Sequence, residues 1–483
     1  MAKDRGSANQ RKPAADAARQ SESGKAQGAG GTAQGAGGTA QGAGGKAARA
    51  AVPRRALGAW RPAADRPDPI ELLRAQDARR QQDLVPIRWG RMSASPFAFY
   101  RGAAALMAAD LAPLPRTGLT VQLCGDAHLS NFGMYASPDR TLLFDVNDFD
   151  ETLPGPFEWD VKRMAASFVI AGRCTGLSDA AAGDAALASA RAYRTRMAEY
   201  AAMSELDVWY SRLDVNGILA MLKTTKGLSA RTAEKDAVKA RTRTGLQAAA
   251  KMTVLVDGRP QINDQPPLIT HLSWADQADE MRAQVRHYVG TLEDDRRELM
   301  ERFTPLDVAR KVVGVGSVGT YCLIVLLQSR SGDPLLLQVK EASASVLEPY
   351  LGRSRYHNHG HRVVAGQRLM QAASDIFLGW MLAPGTDRQF YWRQLRDMKF
   401  SADVQTLDAR GLRAYGEACG WALARGHARS GRRDAIAAYL GGGDAFERAI
   451  GDFARSYADQ TERDFAAVQQ AVTKGRIQVE TGV

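Results

Sequence analysis

The segment Leu123–Gly133 reads LCGDAHLSNFG. The apolar run GLTVQ from Gly118 leads into it, and TLLFDVNDFDE from Thr141 follows the turn residues SPDR. An acid, a histidine and an amide therefore share a loop between two strand-like segments. Asp126 and Asn131 are five residues apart, and Asp148 follows seventeen later, where a returning strand can bring it beside the loop. Two carboxylates and an amide oxygen make a hard donor set that suits Mg2+ better than a nitrogen or sulfur site would. Such a sparse site draws its other ligands from phosphate and water, leaving Asp126 to take a proton from a hydroxyl. The competing reading is structural: an Asx-turn capped by His128.

D-x-x-x-x-N followed by D-F-x resembles the catalytic loop and metal-binding Asp of protein kinases and their small-molecule relatives. GDAHLSN from Gly125 to Asn131 is similar to the G-D-x-H-x-x-N form of aminoglycoside and choline phosphotransferases. That resemblance implies Asp126 as the catalytic base, Asn131 and Asp148 as Mg2+ ligands, and Asp150 in reach of a second metal. It also implies that Asp160, twelve residues past Asp148 in FEWDVKRMAAS, braces the loop from behind, with His128 as a further support.

A phosphotransferase must also cradle ATP. Glycines 314, 316 and 319 of GVGSVG, with Ser317 among them, fit G-x-G-x-x-G. TYCLIVLLQ and PLLLQVKEA follow, separated by SRSGD, and read as an antiparallel hairpin that carries Lys340. Glycines admit backbone N–H groups close to phosphate, and a lysine on the adjacent strand neutralises it. A Rossmann turn would open a helix after the last glycine, whereas the residues here are β-rich. Glu341 should point to the opposite face from Lys340, so Glu348 is the candidate partner for the lysine. Gln367 and Gln371 on the next predicted helix offer no acid.

The chain has 483 residues and a formal charge of +11. Ten Lys and Arg against three Asp and Glu fall in the first 60 residues, so the excess lies largely in a Gly/Ala-rich tail that repeats AQGAGG. That tail is expected to be disordered and to make at most weak contacts with nucleic acid. Four scattered cysteines form no CxxC pair and read as buried thiols in a reducing compartment. No secretory signal and no apolar run long enough to cross a bilayer is present, which gives a cytoplasmic expectation without membrane partners.

The texture divides the sequence into a basic tail (1–58), helices with the catalytic loop and metal Asp (59–203), a helical joining segment (204–303), a β-rich ATP-cradling lobe (304–400) and a helical remainder (401–483). One helix is predicted from Pro69 to about Pro86, a second over SPFAFYRGAAALMAADLA, and a loop over VDGRPQINDQPPL. Lys223, Lys226, Arg231, Lys235 and Lys239 lie in the joining segment as a solvated or phosphate-contacting helix face.

RMSASPFAFYRGAAALMAADLA, VQLCGDAHLSNFG, LLLQVKEASASVLEPY, RVVAGQRLMQAASDIFLGW and FYWRQLRDMK are similar to the bacterial domain-of-unknown-function 2252 family, over nearly everything after residue 60. The resemblance implies an α+β, protein-kinase-like two-lobe fold with added helices. Because the glycine loop follows the catalytic loop, that fold would be circularly permuted. YGEACGWALARGHARSG, near the C-terminus, resembles the helix that precedes the catalytic loop in aminoglycoside-type kinases.

Only eleven residues separate Asp148 from Asp160, too few for a long activation segment. The expected activity is ATP- and Mg2+-dependent transfer to a hydroxyl of a small molecule or of an unusual acceptor, a protein included. The alternatives are AMP transfer by the same fold, a non-catalytic nucleotide-binding scaffold, and a metallophosphoesterase using GDAH with His357, His359 and His361.

Overall fold

Gly118 to Pro156 forms two short antiparallel pairs in the computed structural model, which describes residues 34–218, 245–272, 274–395 and 401–482. Strand β1 (Thr120–Leu123) ends at the loop that carries Asp126 and Asn131; β2 (Phe132–Ala136) leaves it and pairs with β3 (Leu142–Val146). Strand β4 (Leu153–Pro156) returns to pair with β1. The segment from Asp126 to Glu151 therefore starts and finishes at one place, which is what brings the loop and the DFD residues together.

These strands rest on a helical bundle. The helix Phe157–Cys174 is buried from Phe157 to Gly172: its second half is largely apolar, and in its first half Glu158, Asp160 and Arg163 are buried with hydrogen-bond or ionic partners. It packs with Asp179–Ala201, Ala409–Ser430 and Ala445–Thr473. The alanine and glycine content explains how closely these helices approach: a Cβ on Gly420 would lie 2.1 Å from the Ser189 carbonyl oxygen.

The second layer is a sheet. Strands β5 (Thr253–Val256) and β6 (Arg259–Ile262) form a separate hairpin. Then β7 (Ile269–His271), β8 (Phe303–Lys311), β9 (Cys322–Ser329), β10 (Pro334–Glu341), β11 (Gly379–Leu382) and β12 (Gln389–Gln394) make one antiparallel sheet in the order β11-β12-β10-β9-β8-β7. Side chains alternate along β10. Leu335, Leu337 and Val339 join Tyr288 and Trp392 in one core, while Leu336 joins Ala249 and Ile324 in another. Lys340 is on the Leu336 face.

Several expectations need correction. Pro86 starts a helix instead of ending one: Pro69–Asp77 stops early, and Pro86 sits in the first turn of Val85–Met92, where its missing N–H costs nothing. The second predicted helix is two, Pro96–Gly102 and Ala104–Leu111, broken at Ala103. The loop at VDGRPQI is the β5–β6 hairpin, whose Asp257 and Gly258 both have positive φ, as a tight two-residue turn requires. The segment 204–303 is not purely helical, since β7 extends the sheet and Trp274–Val289 packs on it.

Order also begins before residue 58. The helix Gln34–Ala51 and the turn Arg54–Leu57 precede it. Val52, Leu57 and Trp60 are buried, and Trp60 meets Phe453 and Tyr457 edge-on. These few apolar residues outweigh the polar composition around them. The tail up to residue 33 and the five basic residues from Lys223 to Lys239 lie outside the described residues. Cys124, Cys322 and Cys419 are buried, whereas Cys174, at a helix end, is exposed. Among the described residues no helix is long and apolar enough to cross a membrane.

Candidate active site

The loop that carries Asp126 and Asn131 is held from behind. Asp160, in the first turn of Phe157–Cys174, accepts hydrogen bonds from the backbone N–H groups of Cys124 (2.8 Å) and Gly125 (3.1 Å). His427 Nε2 lies 3.2 Å from the same carboxylate, and His427 Nδ1 lies 2.9 Å from the Tyr193 hydroxyl. Gly125 has φ +85°, and a Cβ there would lie 2.3 Å from the Glu151 carbonyl oxygen. The turn that presents Asp126 thus needs glycine for both reasons.

Asp126 is ion-paired through Oδ1 to Arg163 Nε, and His128 Nε2 is 3.7 Å from Oδ2. Asn131 donates its amide N–H to the Asp126 carbonyl oxygen at 2.7 Å, which commits its nitrogen end and leaves the carboxamide oxygen to act as a ligand. Burial raises the Asp126 carboxyl above its ordinary range, against the pull of Arg163. Burial, reinforced by Arg101 and Arg163, pushes the His128 imidazole well below its usual value, so it is neutral. His128 is packed edge-on against Phe97; its place is structural.

Lys340 reaches this group from the sheet. Its Nζ is 2.5 Å from Asp150 Oδ2 and 3.8 Å from Asp148 Oδ2. Burial disfavours the ammonium, but Asp148 and Asp150 outweigh it and hold its pKa well above the usual range. Tyr391, opposite Lys340 in the β10–β12 register, donates its hydroxyl to Asp150 Oδ1 at 2.6 Å. Ser317 Oγ lies 3.4 Å from Asp150 Oδ2. Arg362 donates to the carbonyl oxygens of Asp150, Thr152 and Ser343, each at 2.8 Å, tying the DFD turn to the end of β10.

Gly314, Gly316, Ser317 and Gly319 lie in the connection between β8 and β9, strand–turn–strand as expected. The helices before the catalytic loop hold it: Arg91 donates to the Gly314 carbonyl oxygen at 2.6 Å, and Gln81 N–H to that of Gly319 at 2.8 Å. The loop and the acidic cup share one cavity of about 740 Å3. Asp126, His128, Asn131, Asp148 and Asp150 line it on one side and Gly314–Ser317 on another. That volume is in the range of nucleotide and cofactor sites.

Glu348 does not pair with Lys340. It faces His359 at 3.7 Å, and its buried Oε1 has no hydrogen-bond partner. The DFD carboxylates take the lysine because the β10 register aims it at the turn after β3. Gln371 donates to the Val146 carbonyl oxygen and accepts from Gln367. His361 stacks on Trp380, and none of His357, His359 and His361 lines the cavity.

A family described as uncharacterized proteins conserved in bacteria, DUF2252, matches residues 80–471. The chain belongs to this family. No curated protein and no solved structure matches it. Within the DUF2252 span lie the whole cup, the glycine loop and Lys340.

Four functional neighbours escaped the sequence reading: Arg163, Tyr391, Arg362 and Arg101. Arg163 had a local signal, since it lies three residues past Asp160 on the same helix face. The other three meet the site only through tertiary packing. Among the described residues no group of three His, Cys, Asp or Glu converges as a metal site. The donors at hand, Asn131 oxygen with Asp148 and Asp150, suit a cation that takes its remaining ligands from bound phosphate. Buried polar atoms without partners, Arg101 Nε and Glu348 Oε1, border the same space.

Proposed function

We propose that this protein is an ATP- and Mg2+-dependent phosphotransferase of permuted protein-kinase-like architecture, acting on a hydroxyl. The observation that carries the reading is Lys340, 2.5 Å and 3.8 Å from the two carboxylates of the DFD turn, which themselves line a nucleotide-sized cavity. A glycine loop between two antiparallel strands, with the lysine on the third, is the arrangement that kinases use to cradle phosphates. The permuted order has its own support. The helix Ala409–Ser430 ends against β1, where Ser430 Oγ accepts from Gln122 N–H at 3.0 Å across 308 residues of chain. A helix distant in sequence thus abuts the start of the catalytic loop.

In this reading Asn131, Asp148 and Asp150 hold Mg2+, which neutralises phosphate charge when bound. Lys340 turns from the carboxylates to the phosphate oxygens, and backbone N–H groups of Gly314–Ser317 meet the same chain. The acceptor oxygen forms a bond to the γ-phosphorus, the bond to the β,γ-bridging oxygen breaks, and ADP leaves. The hydroxyl proton passes to Asp126, which Arg163 orients. A cytoplasmic location, where ATP and Mg2+ are plentiful, accords with this chemistry.

The test is ATP–Mg2+ stabilisation of the wild type, Lys340→Ala and Asp148→Ala in thermal unfolding, since a ligand bound only to the folded state raises its stability. Equal shifts in all three refute the site. Label on the γ- rather than the α-phosphate of ATP separates phosphoryl from AMP transfer. Turnover lost in Asp126→Asn separates an enzyme from a scaffold.

A further inference from the structure

The cationic side chains in and behind the cavity wall fall into two sets. Lys340 and Arg163 are neutralised by Asp150, Asp148 and Asp126. Arg79, Arg80, Arg101 and Arg353 line the cavity with no carboxylate at hydrogen-bond distance among the described residues. Arg79 and Arg353 are exposed, and no hydrogen bond or ion pair joins either to the described residues. Arg80 and Arg101 are half-buried, and each keeps a buried Nε without a hydrogen-bond partner, although Arg80 donates through another nitrogen to the Val318 carbonyl oxygen. Arg80 has one distant carboxylate, Asp77 at 3.9 Å, which is already engaged by Arg88 and by the Trp89 indole. Burial pulls the Arg80 guanidinium down to about 9, and burial lowers Arg101 despite the fields of Asp126 and Asp148.

Buried guanidinium groups whose counter-ion is distant or already engaged are costly and call for an anion. Three separate segments bring these four to one cavity: the end of the Pro69–Asp77 helix, the helix Pro96–Gly102, and the turn after Glu348–Leu351. In the phosphotransferase reading the triphosphate is met by Lys340 and by a cation on Asn131 and Asp148, a set to which none of these four arginines belongs. We propose that these four arginines bind a second anion, so that the hydroxyl-bearing acceptor itself carries a phosphate or carboxylate group. The proposal rests on the phosphotransferase reading and names its substrate class. A planar guanidinium matches both groups bidentately, and a basic mouth raises the local concentration of anions.

The test uses the full chain and titration calorimetry with inorganic phosphate and, separately, citrate, with and without a saturating non-hydrolysable ATP analogue and Mg2+. Wild type is expected to bind one of the two anions alongside the nucleotide. The preferred anion shows whether the acceptor is a phosphate ester or a hydroxy acid. In Arg79→Ala/Arg353→Ala, whose side chains are exposed and whose fold should persist, anion affinity is expected to fall at least tenfold and nucleotide affinity to stay within twofold. Absence of anion binding in the wild type overturns the proposal. So does an anion affinity unchanged in the variant, or an equal loss of nucleotide and anion affinity, which would make the arginines nucleotide ligands. If the wild type binds no nucleotide, the transferase reading fails, while a tenfold loss of anion binding in the variant still upholds the anion site.

Discussion

The ammonium of Lys340 sits 2.5 Å from Oδ2 of Asp150, although 190 residues separate the two in the chain. The contact joins the sheet to the helical layer at the point where the glycine loop passes over the acidic cup. It holds the lysine against the carboxylates that line the cavity and gives Asp150 a counter-ion.

Lys340→Ala should therefore act on both stability and ligand binding. Asp150 keeps its Tyr391 bond but loses a charged partner, for a cost of about 2–3 kcal/mol in urea unfolding. ATP–Mg2+ should no longer raise Tm. A variant that unfolds like the wild type would show that the pair contributes nothing to the fold.

Gly125→Ala should be worse than an ordinary glycine substitution. Its φ of +85° and a carbonyl oxygen 2.3 Å from the new Cβ combine strain with overlap. A loss of about 3 kcal/mol is expected. Gly118 also has positive φ (+73°) but open space around it, so Gly118→Ala should cost only about 1 kcal/mol. Equal losses in the two variants would remove the clash from the explanation.

The pH dependence of turnover follows from Asp126. The base works ionised, and burial raises its pKa, so the acidic limb of kcat/KM should lie above the ordinary Asp value of about 3.9. Arg163 is the main influence pulling the other way, and Arg163→Met should move the limb higher still. A limb that stays in place in the variant contradicts the assignment of Asp126.

Lys162 offers a test that needs no substrate. It is buried with Nζ 4.5 Å from the Phe453 ring centre, and burial lowers its pKa to about 8 against the pull of Glu158. The unfolded chain holds this proton up to about pH 10.4. Between those values the unfolded state binds more protons, so this group makes stability rise with pH, by roughly 3 kcal/mol in full. Buried tyrosines and cysteines, with raised pKa values, act in the opposite sense. The measurement is thus the difference between wild type and Lys162→Met in urea unfolding at pH 7.5 and 9.5. The wild type should gain relative to the variant at the higher pH, and a constant difference would disprove the charge penalty.

Much of the candidate site was legible because its parts are local. Asp126 and Asn131 share one loop, Asp148 and Asp150 close the next strand, and Asp160 opens the helix that follows. The glycine loop and Lys340 belong to consecutive antiparallel strands, where alternation along β10 sets the face of the lysine. The helix breaks around Pro86 and Ala103 were not legible, because a proline starts a helix as readily as it stops one and because apolar periodicity persists across a kink. The burial of Val52, Leu57 and Trp60 was masked by the glycine-rich composition before them.

Sequence alone determined which residues turn, which strands alternate, and which carboxylates lie within reach of one loop, because these depend on neighbours along the chain. Tertiary structure decided which charges meet. Lys340 pairs with Asp150 and Asp148 and not with Glu348, Arg163 holds Asp126, and the buried Nε atoms of Arg80 and Arg101 have no hydrogen-bond partner. Ion pairing depends on distance through space and on exclusion of water, and both are set only when the sheet, the bundle and the helices before the catalytic loop close around one cavity.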